Sequence, residues 1–300
     1  MAGQKPLIKR FAAPLCALAL MLGVTLIPRV ETKPRLKVAL SVWPGVETLV
    51  LARDLGVLEQ ADDGANLRDA ILARTPLAPL RAVRPGLDLA AGGRHLDSLV
   101  AEVQLMMARG QYLSALGLFD RMLAGVADQY DLIVIDSPPG ERAIQTLAAR
   151  AAGHLLIPTA PDDCSVDGLG AVFDLYQQLR TDGGNPHLDI LGVVLMLTVT
   201  TATNVKRSVR ATLTGLLGAH VKVFDTTIRF AQAAAVDCRR DGRLAHEYEQ
   251  AALAADPWWK HTSRGETFSR AATGLADDYQ HLTNEILTAL AGTEHTWRTA

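Results

Sequence analysis

The sequence predicts a doubly wound, mostly parallel α/β sheet. Three observations carry that reading. Apolar runs at 132–135, 155–158 and 190–197 are short, rich in Ile, Val and Leu, and apolar on both faces. Strands covered by helices on both sides read this way. Between the runs, apolar residues recur at helical spacing, as at Leu169, Val172, Phe173 and Tyr176. Aromatic residues make up only 5% of a chain that is 49% hydrophobic, which suits an Ala/Leu/Val-rich α/β protein rather than a β-sandwich.

Taken in order, residues 1–34 read as a signal-like or membrane-anchor segment. Lys5, Lys9 and Arg10 precede an apolar run over 11–27, the layout of an export signal and near the lower limit for crossing a bilayer. Arg29, Lys33, Arg35 and Lys37 place positive charge beyond it as well, and a buried helix accounts for the same run. Residues 35–60 read as one strand-turn-helix unit: a strand over 36–42, a break at Trp43-Pro44-Gly45, and a helix from Val46 to Leu55.

The remainder, 61–300, reads as one α/β domain. A short helix is expected over 66–73, a proline-punctuated loop over 76–85 and a strand over 87–93. Helical periodicity follows at Leu96, Leu99, Val100, Val103 and Met106, and again at Leu113, Leu116, Leu118 and Met122. Helices are expected over 142–152, 167–179 and 205–217, a last short strand over 221–224, and an amphipathic tail helix over 268–290. Formal charge is −2, so only a local basic patch would argue for nucleic acid. Cys16, Cys164 and Cys238 are widely separated and imply no disulfide framework. The histidines show no zinc-binding spacing.

The chemistry concentrates at one stretch. The run ending at Ile135 passes into Asp136 and then Ser137-Pro138-Pro139-Gly140, which continues neither a strand nor a helix. Ligands of open α/β sheets bind at the carboxyl ends of strands, so Asp136 stands where a carboxylate can hold magnesium beside nucleotide phosphates. A buried strand capped by a tight turn fits the same residues. Lys206, Arg207 and Arg210 share a polar helix face, and Arg239, Arg240 and Arg243 cluster later. Such groups can meet DNA phosphates without reading sequence, and a solvated helix face also explains them.

Two resemblances extend this reading. Residues 35–60 resemble the opening of nitrate/taurine-type periplasmic solute-binding proteins, with a strand, a Trp-Pro-Gly turn and a helix. A broader one covers about 66–290. Asn66-Leu-x-Asp-Ala-Ile-Leu, Leu87-Asp-Leu-Ala-Ala-Gly-Gly, the 130–140 stretch, Leu156-Ile-Pro-Thr, Ser165-Val-Asp-Gly-Leu, Leu191-Gly-Val-Val-Leu and Thr227-Ile-Arg229 resemble, in order, the ParA/MinD family of P-loop ATPases. That resemblance implies a P-loop NTPase fold with its first strands missing or replaced. It implies ATP and Mg²⁺ as cofactors, Asp136 as the Walker B carboxylate near magnesium, and Ser137, Pro138, Pro139, Gly140, Pro158 and Arg229 around the nucleotide. It also implies a homodimer, non-specific DNA contact, a ParB-like partner, a role in chromosome or plasmid partitioning or positioning, and a cytoplasmic, nucleoid-associated protein. Residues 1–28 imply instead an anchored or exported one, with membrane contact through 11–27.

The family's Lys-Gly-Gly-x-Gly-Lys-Thr-Thr loop is not found in this sequence, where no Gly-Lys pair occurs. Phosphate cradling needs those glycines and that lysine, so hydrolysis is expected to be impaired. Two rival readings are an exported solute-binding protein of an ABC transporter and a non-hydrolysing fusion or truncation product. If the family domain holds here, its central strand position is vacant, and 36–42 has the length and β-branched content to fill it.

Overall fold

The computed structural model describes residues 23–28, 36–41, 63–72, 75–84, 86–137, 142–182, 184–199, 203–217, 221–254 and 272–297. Eight strands form one sheet: β1 (Gly23–Pro28), β2 (Leu36–Ser41), β3 (Leu80–Arg84), β4 (Leu87–Ala91), β5 (Tyr130–Ser137), β6 (His154–Thr159), β7 (Asp189–Thr198) and β8 (Val223–Arg229). Their spatial order is β3-β4-β1-β5-β2-β6-β7-β8. The run β5-β2-β6-β7-β8 is parallel throughout, and β1 is antiparallel to both β4 and β5. The three apolar runs identified in the sequence thus lie in parallel strands near the centre of the sheet.

The vacant central position is filled as expected. β2 pairs in parallel with β5 from Leu36↔Leu132 to Ser41↔Ser137, and with β6 from Val38↔His154 to Leu40↔Leu156. Without it, facing edges of β5 and β6 would leave backbone N–H and C=O groups unpaired in the interior. The turn at 43–45 and the helix expected from Val46 lie outside the described residues.

Gly23–Pro28 differs from expectation. The end of the apolar run read as a targeting segment is here strand β1, paired with β4 on one side and β5 on the other. An apolar stretch containing Val24, Thr25 and Ile27 satisfies its backbone equally well by pairing on both edges. Residues 1–22 lie outside the described residues. No described helix is long and apolar enough to cross a membrane.

Helices cover both faces. On one lie α1 (Ala65–Ile71), α2 (His95–Ala108), α3 (Tyr112–Leu116), α4 (Leu118–Ala124), α5 (Arg142–Ala151), α6 (Asp163–Thr181) and α7 (Thr203–Leu217). Their buried residues, among them Leu99, Phe119, Leu147, Leu175 and Leu213, pack with Ile133, Ile135, Ile157 and Val193 of the sheet. On the other lie α8 (Gln232–Arg240), α9 (Ala245–Ala254) and α10 (Ala272–Trp297), packed with Leu132, Val134, Leu156 and Val194. Alternate residues of β5 therefore feed different cores, which is why its sequence is apolar without a break.

Strand β3 falls where a loop was expected. It is an edge strand, and Arg81 and Arg84 hid it from a reading based on apolar alternation. Buried Asp88 anchors it, accepting from Arg81 Nη1 at 2.8 Å, Ala82 N at 2.8 Å and the Tyr130 hydroxyl at 3.0 Å. Burial, with the Asp88 hydrogen bond and charge, pushes the Tyr130 hydroxyl up to about 12.

Candidate nucleotide site at the carboxyl edge

Parallel strands bring their carboxyl ends to one rim of the sheet. Asp136 and Ser137 end β5, Pro158 and Thr159 end β6, Thr198 ends β7 and Arg229 ends β8. β2 ends between the first two pairs, with Leu40 opposite Asp136 and Ser41 opposite Ser137. Three buried hydroxyls, Ser137, Thr159 and Thr198, stand along this rim. The sequence residues assigned to a nucleotide are thus assembled on one edge, apart from Pro138, Pro139 and Gly140, which lie outside the described residues.

Asp136 is the singular group of this rim. It is partly buried, and among the described residues no hydrogen bond or ion pair reaches its carboxylate. Burial pushes it up from 3.8 to about 7. A partly buried carboxylate at a strand end suits a cation that arrives with a ligand. No cluster of three or more acidic, histidine or cysteine ligands occurs among the described residues. A magnesium ion held by Asp136 would leave its other positions to water and phosphate oxygens, as magnesium prefers.

Beyond β6 the chain turns into α6, whose first turn Asp162 caps: its carboxylate accepts from Ser165 N at 2.8 Å and the Ser165 hydroxyl at 2.9 Å. At the β7–β8 end, Lys206 Nζ of α7 donates to the Thr227 hydroxyl at 3.3 Å, and Thr198 Oγ1 lies 3.2 Å from the same oxygen. Leu197 (φ 52°), Val199 and Phe230 are exposed beside them.

Arg229 is placed on the rim but already engaged. Its Nε donates to Asp278 Oδ2 at 2.6 Å and its Nη2 to Asp278 Oδ1 at 2.8 Å, while its backbone N–H reaches Oδ2 at 3.0 Å. This hydrogen bonding raises Arg229 above its ordinary value. Gly274 admits the guanidinium, since a Cβ there would collide with it. One face of α10 carries both Asp278 and Glu285, seven residues on. Glu285 accepts from Asp225 N at 2.9 Å, Thr226 N at 2.7 Å and the Thr226 hydroxyl. Burial raises Glu285, but the Thr226 hydroxyl and the two backbone N–H groups outweigh it and hold the carboxyl below its ordinary value.

The two basic clusters do not form one patch. Lys206, Arg207 and Arg210 lie on α7 and Arg239 and Arg240 on α8, whose buried residues pack on opposite faces of the sheet. Three of the six, Arg210, Arg240 and Arg243, pair with acids of the protein. Arg210 lies 3.5 Å from Asp225 and also reaches the carbonyls of Val223 and Asp225. Arg240 pairs with Asp237 and Asp241, and Arg243 lies 3.9 Å from Asp241. Lys206 and Arg207 make no described ion pair. Acids close in sequence to the arginines, Asp237 and Asp241, were the overlooked signal.

A family model described as an AAA domain matches residues 81–190, from β3 to the start of β7. The chain is 29% identical over 126 residues to the cell division protein PomZ of Myxococcus xanthus, covering 41% of this chain and 38% of that protein. It is 28% identical over 180 residues to the chromosome-partitioning ATPase Soj of Treponema pallidum, covering 60% of this chain and 64% of that one. The chain thus spans less than two thirds of the length of either relative. These similarities agree with the resemblance to the ParA/MinD family read from the sequence. The fold agrees: a complex of McdA with ATP from Cyanothece superposes with a TM-score of 0.62 at 16% identity, over 86% of this chain and 96% of the other. Neither the named relatives nor this fold supports the solute-binding reading.

Proposed function

We propose that this chain is a partitioning or positioning factor that takes Mg²⁺·ATP at the carboxyl edge and hydrolyses it poorly or not at all. The observation that carries this reading is Asp136: a carboxylate with no hydrogen bond or ion pair among the described residues, at the end of β5, beside β2, on the rim where α/β sheets bind ligands. Soj and PomZ, its relatives, are by name a chromosome-partitioning ATPase and a cell division protein, and its fold neighbour McdA holds ATP.

Hydrolysis is a separate question from binding. Phosphoryl transfer depends on a lysine and a ring of backbone N–H groups that neutralise and position the phosphates. The strand that fills the central slot, β2, leads into Val42-Trp43-Pro44-Gly45, with no lysine and one proline that lacks an N–H. Asp136 would still supply a magnesium contact, Ser137 and Thr159 end strands of the same rim, and the phosphates would lack their principal cation. What remains is a nucleotide-responsive partner that signals occupancy without consuming ATP.

DNA contact, where it occurs, is assigned to Lys206 and Arg207 of α7, because Arg210, Arg240 and Arg243 are matched by internal acids. Binding of a fluorescent ATP analogue to the full chain tests the nucleotide reading. Magnesium-dependent binding that Asp136→Ala abolishes is expected. Binding indifferent to magnesium and to Asp136→Ala overturns it.

A further inference from the structure

Arg229 ends β8 on the nucleotide rim with its fork closed by a carboxylate of its own chain. We infer that Asp278 is an internal competitor for Arg229, so that helix α10 sets how strongly the carboxyl edge binds an anionic ligand. The inference rests on the nucleotide reading above and adds a control to the same site.

The geometry is that of a phosphate fork. Arginine binds phosphate by two parallel N–H···O bonds in the plane of the guanidinium, the arrangement it makes here with Oδ2 and Oδ1 of Asp278 at 2.6 and 2.8 Å. Those bonds use the Nε–Nη2 side of the guanidinium, and Nη1, which carries its other fork, lies against Gly274 of α10. Nor is the pair sealed in the core: the Arg229 side chain is 31% exposed, and Phe230 next to it is 54% exposed. An anion arriving on the rim can therefore exchange with the carboxylate. Such an exchange trades one charge-assisted fork for another of similar strength, so a ligand shifts the balance by its own differential affinity.

Helix α10 does not depend on this pair for its seat. Glu285 holds Asp225 and Thr226 two turns further on, and Leu275, Leu282, Ile286 and Leu290 are buried against the sheet. Asp278 is thus free to release Arg229 while the helix stays docked. Across the strand pair, Thr198 lies opposite Arg229, and its hydroxyl contacts Thr227, which Lys206 also contacts. A released Arg229 would join Lys206 at the β7–β8 end of the rim.

The test compares binding of a fluorescent ATP analogue, in Mg²⁺ and low salt, by the wild-type chain, Asp278→Asn, Arg229→Gln and the double variant. Glu285→Gln serves as the control for a loosened α10. Asp278→Asn should bind tighter by about fivefold or more, the lower range of a coupling between two sites. Arg229→Gln should cancel that gain, and Glu285→Gln should leave affinity within about twofold of wild type. A gain that persists in the Arg229→Gln background reflects general charge and overturns the inference, as does unchanged or weaker binding by Asp278→Asn when the wild type binds. Absence of binding by the wild type and by Asp278→Asn alike overturns the nucleotide reading itself.

Discussion

Replacing Asp136 by Asn should flatten the pH dependence of stability in metal-free buffer. The carboxyl is raised from 3.8 to about 7 by burial. Between those values the folded chain holds a proton that the unfolded chain has released, so stability falls as pH rises through that window and stays low above it. A displacement of that size corresponds to about 4 kcal/mol, a ceiling because the side chain is partly exposed to water. The amide that replaces the carboxyl in the variant is neutral throughout, so the two proteins should unfold alike near pH 4. Near pH 8 the variant should be the more stable by up to ~4 kcal/mol. Urea unfolding at steps from pH 4 to pH 8, with chelator present, reads the difference, and other titrating groups cancel in the comparison. Magnesium added at the upper end should recover part of the loss for the wild type alone. Parallel curves for the two proteins would refute the claim that burial raises the Asp136 carboxyl.

Other outcomes follow from the same coordinates. Cys238, 2% exposed and pushed up to about 12 by burial and then by Asp237 and Asp241, should resist alkylation at pH 8 until the chain unfolds. Peptide mapping that shows it modified in the native protein would contradict its burial in the core beneath α8. Amides of 36–41, bonded to β5 and β6 on either side, should exchange as slowly as those of β5. Rapid exchange there would remove β2 from the sheet. Charge reversal at Lys206 and Arg207 should weaken DNA binding and lower its salt slope by about one for each phosphate no longer neutralised. Reversal at Arg240 and Arg243 should change it little, and an equal effect of both would restore the two-cluster patch.

The sequence showed most clearly what local pattern determines. β5, β6 and β7 are apolar on both faces because each feeds two cores, and that pattern needs no partner to be recognised. The central slot was legible through what the family motif lacks, and β2 has the content to fill it. Less visible were elements whose identity depends on remote partners. β1 was read as the end of an apolar targeting run, since an apolar stretch does not announce whether a sheet or a bilayer will satisfy its backbone. β3 carries two arginines on an edge, and α8 was taken only as a basic cluster. Arg229 ends β8, and the acid that holds it lies 49 residues further along the chain, a separation that periodicity cannot register.

Phosphate release from ATP by the full chain, with and without Mg²⁺, tests the central claim most directly. A nucleotide edge that keeps Asp136 while its central strand runs into Trp43-Pro44-Gly45 should bind without turnover, and release should stay at the uncatalysed background. Magnesium-dependent release that Asp136→Ala abolishes would contradict it, and would mean that another lysine reaches the phosphates.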